Sequence, residues 1–273
     1  MKTFEDNILS IYKDRGKTWL SKLPEVVSAA AQTYGLSDLT PVGNLSHNYV
    51  LSGFQKTQPI ILKLGLDVEG IMREAAALKA FSNFGTVNVF EKNDGLLLLR
   101  RAVPGISLKN HTSSHEAISI ICRMMKKLHQ ADIPQDVCFP HINDWLKILD
   151  QEWNIPTSYL RKARQLRDQL TIGSSPCVLL HGDLHHDNII QDDLDWLVID
   201  PKGVIGPAIH EVWAFIIDME KDTQYVADYF NYEVQVVRQW YFIHLILATL
   251  WNIQDGVTPK FFLDLAEKVY PIV

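Results

Sequence analysis

Asp183, Asn188 and Asp200 are the side chains whose types and spacing could carry chemistry. Asp183 and Asn188 stand five positions apart in His181-Gly182-Asp183-Leu184-His185-His186-Asp187-Asn188, directly after the apolar run Val178-Leu179-Leu180. Asp200 closes a second apolar run, Trp196-Leu197-Val198-Ile199, and precedes Pro201. Phosphoryl transfer needs a carboxylate that orients an attacking hydroxyl and oxygen ligands that hold magnesium against the phosphates. A loop Asp, an Asn one turn on and an Asp at the next strand end supply those parts. Two other readings use the same residues. Asp and Asn often only shape turns, and His181, Asp183, His185 and His186 are all possible ligands of a zinc hydrolase.

Positioning such a loop takes several elements. Residues 5–34 read as helical, with Ile8, Ile11 and Tyr12 on one face and a second helix starting at Pro24 and ending near Gly35. From Leu39 to Leu64 the pattern turns to strands, through Leu45, Val50-Leu51 and Ile60-Ile61-Leu62-Lys63-Leu64. Asp67 can cap a helix that carries Ile71, Ala75 and Leu78 and stops near Gly85. Val87–Phe90 and Leu96–Leu99 flank Asp94-Gly95, a hairpin signal. Beyond Pro104-Gly105, Ser113 and Glu116 form a capping box, and Ile118, Ile121, Met125 and Leu128 follow at the spacing of a core-facing helix. Helices also fit 143–152, 158–170, 208–219, 223–250 and 259–269. The expected fold class is α+β: an N-terminal lobe over 1–103, with a small antiparallel sheet and one sheet-packed helix, and a larger, mainly helical lobe over 104–273.

The first lobe offers groups for a nucleotide. Lys63 lies within an apolar strand, where a half-buried lysine needs a partner. Glu74 is the best candidate and Glu69, earlier on the same helix, the competing one. In Gly43-Asn44-Leu45-Ser46-His47-Asn48, the side chains of Ser46 and His47 and the backbone N–H groups could bind phosphate oxygens. The segment lacks the repeated glycines of protein kinases, so a plain polar turn is the alternative. The backbone of Arg101 to Val103, after Leu99, would hydrogen-bond adenine.

Composition narrows the class. At 273 residues, with 47% hydrophobic and 21% charged residues, the chain resembles an ordinary globular protein. No apolar run approaches the length of a membrane span, and Met1-Lys2-Thr3-Phe4-Glu5-Asp6 is no secretory signal. Cys122, Cys138 and Cys177 read as free thiols of a reducing compartment, so a cytoplasmic location is expected. The sequence leaves the oligomeric state open, with a monomer as the default expectation. The net charge of −6 is uneven: residues 183–233 hold 12 Asp/Glu against 2 Lys/Arg, a balance of −10. That excess disfavours nucleic acid and suits magnesium and a cationic substrate, or is simply a solvated acidic face.

With these residues in hand, the chain resembles the aminoglycoside and hydroxyurea phosphotransferase family, the group of the streptomycin 6-phosphotransferases. Gly16-Lys17-Thr18-Trp19-Leu20-Ser21-Lys22-Leu23-Pro24 is similar to its N-terminal segment. His181–Asn188 and Trp196–Gly203 look like its catalytic and metal motifs, and Gly206-Pro207-Ala208 with Glu211 resembles its next segment. The resemblance implies a protein-kinase-like two-lobe fold and transfer of the γ-phosphate of ATP (or GTP), with Mg2+, to a hydroxyl of a small molecule. It makes Asp183 the catalytic aspartate, Asn188 and Asp200 magnesium ligands, Lys63 the phosphate-binding lysine and Glu74 its partner. Ile209-His210 and the run Val212–Asp218 depart from the family pattern near the acceptor side. A streptomycin-type aminoglycoside is the expected acceptor, with Glu211, Trp251 and Asp255 as candidate contacts. A sugar, an amino alcohol or hydroxyurea is the alternative acceptor, and a nucleotide-binding protein without catalysis is a further reading.

Overall fold

The N-terminal helix bends where its packing requires, away from its proline. The computed structural model describes residues 2–43, 45–110, 114–172 and 176–273. In it, α1 (Lys2–Tyr34) consists of two helical segments joined at Lys13, whose φ of 50° and ψ of −125° are non-helical. The expected boundary at Pro24 is absent, and the helix runs through it. Burial decides the break: Phe4 and Ile8 before the kink share one core cluster with Leu23 and Ala30 after it. A Cβ at Gly16 would lie 2.7 Å from the Ile8 carbonyl oxygen, so only glycine allows so close an approach.

The chain divides into two compact units, Met1–Ile106 with Ile190–Ile199, and Ser107–Ile189 with Asp200–Val273. The single expected boundary after residue 103 omitted the return of Ile190–Ile199 to the first unit. That unit contains an antiparallel sheet of β1 (Leu36–Pro41), β2 (Tyr49–Gln55), β3 (Gln58–Leu64), β4 (Val89–Asn93) and β5 (Leu96–Arg100), in the order β1-β2-β3-β5-β4. Leu45, expected in a strand, lies outside β1 and β2, and Asn44 lies outside the described residues. α2 (Val68–Ala80) follows β3, with Asp67 accepting from the Gly70 N–H at 2.9 Å as its N-cap.

Side chains alternate across a strand, and β3 uses both faces. Ile60, Leu62 and Leu64 join Leu51, Leu98 and α1 in one core cluster. Ile61 faces the other way, onto Leu97 and Leu99 and onto Ile71, Ala75 and Leu78 of α2. Lys63 is two residues from Ile61 and pairs in register with Leu97, so it shares this α2-facing side. β6 (Pro104–Ser107) ends the first stretch of the unit.

The second unit is mainly helical. α3 (Ser114–Leu128) buries Ile118, Ile121, Met125 and Leu128; Ser113, half of the expected capping box, lies outside the described residues. α4 (Ile142–Leu146) continues as a 3-10 turn to Asp150, and α5 (Thr157–Leu170) precedes β7 (Cys177–Leu180). β8 (Ile189–Asp192) and β9 (Asp195–Val198) follow, forming a three-stranded sheet in the order β6-β8-β9. Ile190, Leu197 and Ile199 pack with Val87 in the α2-facing cluster of the first unit. β10 (Val204–Pro207) pairs antiparallel with β7.

The helix expected over 208–219 is instead a 3-10 segment, Ala208–Phe215, after which Asp218 caps α6 (Met219–Phe230). The single helix expected over 223–250 is broken by Asn231, in the left-handed region at φ 57°. α7 (Val234–Gln254) starts anew beyond it and is buried on every side from Trp240 to Leu250, against α5, α6 and α8 (Lys260–Val269). That is the pattern of a central helix. Among the described residues no helix is long and apolar enough to cross a membrane.

Candidate active site

In the first unit the Lys63 ammonium meets the Glu74 carboxylate at 2.7 Å, both side chains being buried. Strand alternation turns Lys63 toward α2, and Glu74 sits on the helix face that also carries Ile71, Ala75 and Leu78. Glu69, the competing carboxylate, is exposed and lies 3.8 Å from Arg73. A pair held this rigidly presents one cation at a fixed place, as binding of phosphate requires.

The catalytic-type loop is built in the second unit. β7 delivers the chain to His181, and a fully buried Glu211 takes over the backbone there: Oε2 accepts from the His181 N–H at 2.6 Å and Oε1 from the Gly182 N–H at 2.8 Å. His129 approaches the same carboxylate at 3.5 Å. Burial pushes Glu211 up, but His129, His181 and the Gly182 N–H outweigh it and hold the carboxyl below its ordinary range. Gly182 adopts φ 83°, and a Cβ there would meet Trp145 Cη2 at 3.0 Å. Glycine is therefore required on both counts.

Asp183 follows with its side chain partly open, at 31% exposure. Its N–H donates to His181 Nδ1 at 3.1 Å, and its carbonyl accepts from the His185 N–H at 3.0 Å and from Asn188 Nδ2 at 2.9 Å. The amide of Asn188 thereby locks the loop with its nitrogen and keeps Oδ1, the atom a cation would use, turned from that carbonyl. His185 caps the short turn His186–Asn188 by accepting from the Asp187 N–H, and burial lowers the His186 imidazole below its usual value. His185 thus serves the loop's shape.

Asp200 lies between β9 and β10 at φ 60°, a left-handed conformation uncommon for a residue with a side chain. Lys202 then donates its N–H to the His181 carbonyl at 2.7 Å, tying the two motifs together. An oxygen set of one amide and one carboxylate fits magnesium, which binds through one or two protein carboxylates, substrate phosphates and water. It does not fit zinc. Among the described residues no group of three or more His, Cys, Asp or Glu is arranged to hold a metal ion.

Several other expected contacts differ. Glu211 is buried beneath the loop, so it is not available to an acceptor. The Arg101 N–H is committed to the Pro59 carbonyl at 3.1 Å. The Val103 N–H is committed to Asp192 Oδ1 at 3.0 Å and the Val103 carbonyl to the Asp193 N–H at 2.7 Å. Of the Arg101–Val103 backbone expected to bond adenine, these two N–H groups are thus used within the first unit. Asp192 also grips Arg100 through both oxygens, at 3.2 and 2.5 Å, and that guanidinium holds its carboxyl below the usual range. Ser46 and His47 are exposed in the bend before β2. Trp251 is half-buried, edge-on to Trp145 at 5.2 Å, and Asp255 is exposed at the end of α7. Trp145 carried no motif of its own and Lys202 was read only as part of the Trp196–Gly203 motif; the fold brings both beside Gly182.

The model of the aminoglycoside/hydroxyurea antibiotic resistance kinases matches residues 37–240. Streptomycin 6-kinase of Streptomyces griseus is 22% identical over 270 residues, covering 90% of this chain and 88% of that protein. Streptomycin 3''-kinase of Klebsiella pneumoniae is 31% identical over 130 residues, covering 45% and 47%. A crystal structure of a thermostable mutant of aminoglycoside phosphotransferase APH(4)-Ia, in ternary complex with ADP and hygromycin B, matches with a TM-score of 0.68. It is 14% identical and covers 90% of this chain and 97% of that one, a likeness of fold.

Proposed function

Because the chain belongs to the aminoglycoside/hydroxyurea antibiotic resistance kinase family, it is an ATP-dependent phosphotransferase acting on a small-molecule hydroxyl, and we propose that its acceptor is a streptomycin-type aminoglycoside. In this reading Asp183 accepts the proton of the acceptor hydroxyl as its oxygen bonds to the γ-phosphorus. The bond from that phosphorus to the β,γ-bridging oxygen breaks, and its electrons leave on ADP. Asn188 and Asp200 would hold magnesium, which supplies charge neutralisation on the phosphates. Lys63, positioned by Glu74, neutralises phosphate charge. Positioning and electrostatics supply most of the rate.

One observation carries the assignment of Asp183: its backbone is fastened by His181, His185 and Asn188 while its carboxylate stays partly open. A base must be held still and yet be reachable, and this residue is both. The balance of −10 over residues 183–233 supports a polycationic acceptor. So does Trp145, half-buried beside Gly182 and edge-on to Trp251, since indole faces attract guanidinium groups. The free thiols Cys122, Cys138 and Cys177 fit a cytoplasmic location.

The test is ATP consumption, with and without magnesium, across streptomycin, other aminoglycosides, amino alcohols, neutral sugars and hydroxyurea. Streptomycin should be phosphorylated in a magnesium-dependent way. Silence with streptomycin and turnover of a neutral sugar would overturn the acceptor. Asp183→Ala should fold normally and lose about two to four orders of magnitude in turnover. Near-wild-type turnover in that variant would remove Asp183 from the mechanism.

A further inference from the structure

We infer that Lys202 is a catalytic residue, its ammonium contacting the phosphoryl group during transfer. The inference rests on the phosphotransferase reading and adds to it a residue that reading does not use. Lys202 Nζ stands 3.7 Å from Asp183 Oδ2, and its side chain is 56% exposed. A charge-assisted hydrogen bond would be about 2.7–2.9 Å long, so the amine is near the carboxylate without being consumed by it. Its backbone is anchored: the Lys202 and Gly203 N–H groups both donate to the His181 carbonyl, at 2.7 and 3.3 Å. Its Cβ lies beside Gly182, 3.2 Å from where a Cβ on that glycine would stand. The strand pairing of Val204 with Leu180 fixes both flanks of this arrangement. A flexible four-carbon stem with a rotatable ammonium is thus rooted next to the residue that receives the acceptor.

The chemistry gives that amine a task. An acceptor hydroxyl bonded to Asp183 sits within about 2.6–3.2 Å of it, and the phosphorus it attacks lies about 3–3.5 Å further on. Both positions are within reach of Nζ. During transfer, negative charge spreads over three equatorial oxygens of the phosphoryl group, and a fixed cation there stabilises the transition state more than the ground state. Lys202 stays protonated throughout; the proton passes from the hydroxyl to Asp183 and the bond electrons leave on ADP. An ordinary surface ion pair would do none of this, and losing one changes stability little.

The experiment uses the full chain with Lys202→Met and Lys202→Arg, streptomycin and ATP with magnesium. Lys202→Met should keep the wild-type melting temperature and nearly unchanged KM values, and lose about 10²–10³-fold in kcat. Lys202→Arg, which keeps the charge, should recover most of that loss. Affinity for ADP with aluminium fluoride and magnesium, a mimic of the phosphoryl group in flight, should fall in Lys202→Met while affinity for ADP alone persists. Wild-type kcat in Lys202→Met would overturn the inference. So would an equal loss in Lys202→Arg, or equal binding of the aluminium fluoride complex by wild type and Lys202→Met, since either assigns the lysine to holding Asp183. If the wild-type enzyme phosphorylates no acceptor, the phosphotransferase reading itself fails, and the aluminium fluoride titration still decides Lys202.

Discussion

Glu211 shows how a buried carboxylate can serve a reaction it does not touch. Sequence placed it near the acceptor by family likeness and as a polar residue near the end of an expected helix. Nothing in the order of residues tells which way a side chain points from a 3-10 segment. The structure turns it inward, onto the two N–H groups that precede Asp183. Glu211→Gln keeps the shape but puts an NH2 group against one of those donors, leaving a buried N–H unsatisfied at about 1–3 kcal/mol. Turnover should fall at least tenfold with a nearly unchanged KM for ATP, because only the loop is displaced. The carboxyl is held below its usual range in the folded state, so its contribution is present above the unfolded value near 4.3 and fades as pH falls through the lower folded one. Urea denaturation should therefore show a large stability gap between wild type and Glu211→Gln at pH 7, closing below about pH 4. A gap independent of pH would show that the charge of Glu211 is not what stabilises the loop.

At the level of elements, what could be read was local, and what was missed depended on packing. The pairing of Lys63 with Glu74 follows from two periodicities, alternation in β3 and the i, i+3, i+4 face of α2. The Asp94-Gly95 hairpin and the Asp67 cap were equally visible. The kink at Lys13 was not, since it satisfies burial of residues on both sides of it and no breaker marks the spot. The α6–α7 break was hidden because the apolar pattern runs on past Asn231 while the backbone turns left-handed there. Asn tolerates that region far better than other side chains do, and glycine better still. Asn231→Gly should leave stability within a few tenths of a kcal/mol, whereas Asn231→Ala should cost about 1–2 kcal/mol by urea denaturation. Equal stability of the alanine and glycine variants would mean that the left-handed turn does not end α6.

Across the molecule, the buried pair Lys63 and Glu74 belongs to the first unit, and Asp183, Asn188, Asp200 and Lys202 belong to the second. The motif loop was legible because each apolar run stops where its polar residues begin. The return of β8 and β9 to the first unit was not, because Val87 and Ile190 meet only through the fold. The same holds for His210 and His244, which no motif linked and which share a hydrogen bond of 3.0 Å in the buried interior of the second unit. His244 stacks on Trp213 and His210 lies against Trp240. Burial drives the His244 imidazole down to about 3 against the opposing charge of Glu211. Burial, then His244 and His141, holds His210 well below its ordinary value. Both rings are therefore neutral when folded, whereas the unfolded chain protonates them near pH 6.5. The unfolded state binds more protons below that pH, so stability falls as pH drops under about 6.5, by about 1.4 kcal/mol per pH unit for each neutral histidine, and the His244 share goes on falling toward about 3. Melting curves should be flat from pH 8 to 7 and decline steeply from 6.5 to 5. His244→Leu should start less stable, because it strands the Nδ1 of His210, yet lose less stability over the same interval. A wild-type midpoint that does not move between pH 7 and 5 would mean the pair is charged or hydrated in the folded protein, and its burial would need another explanation.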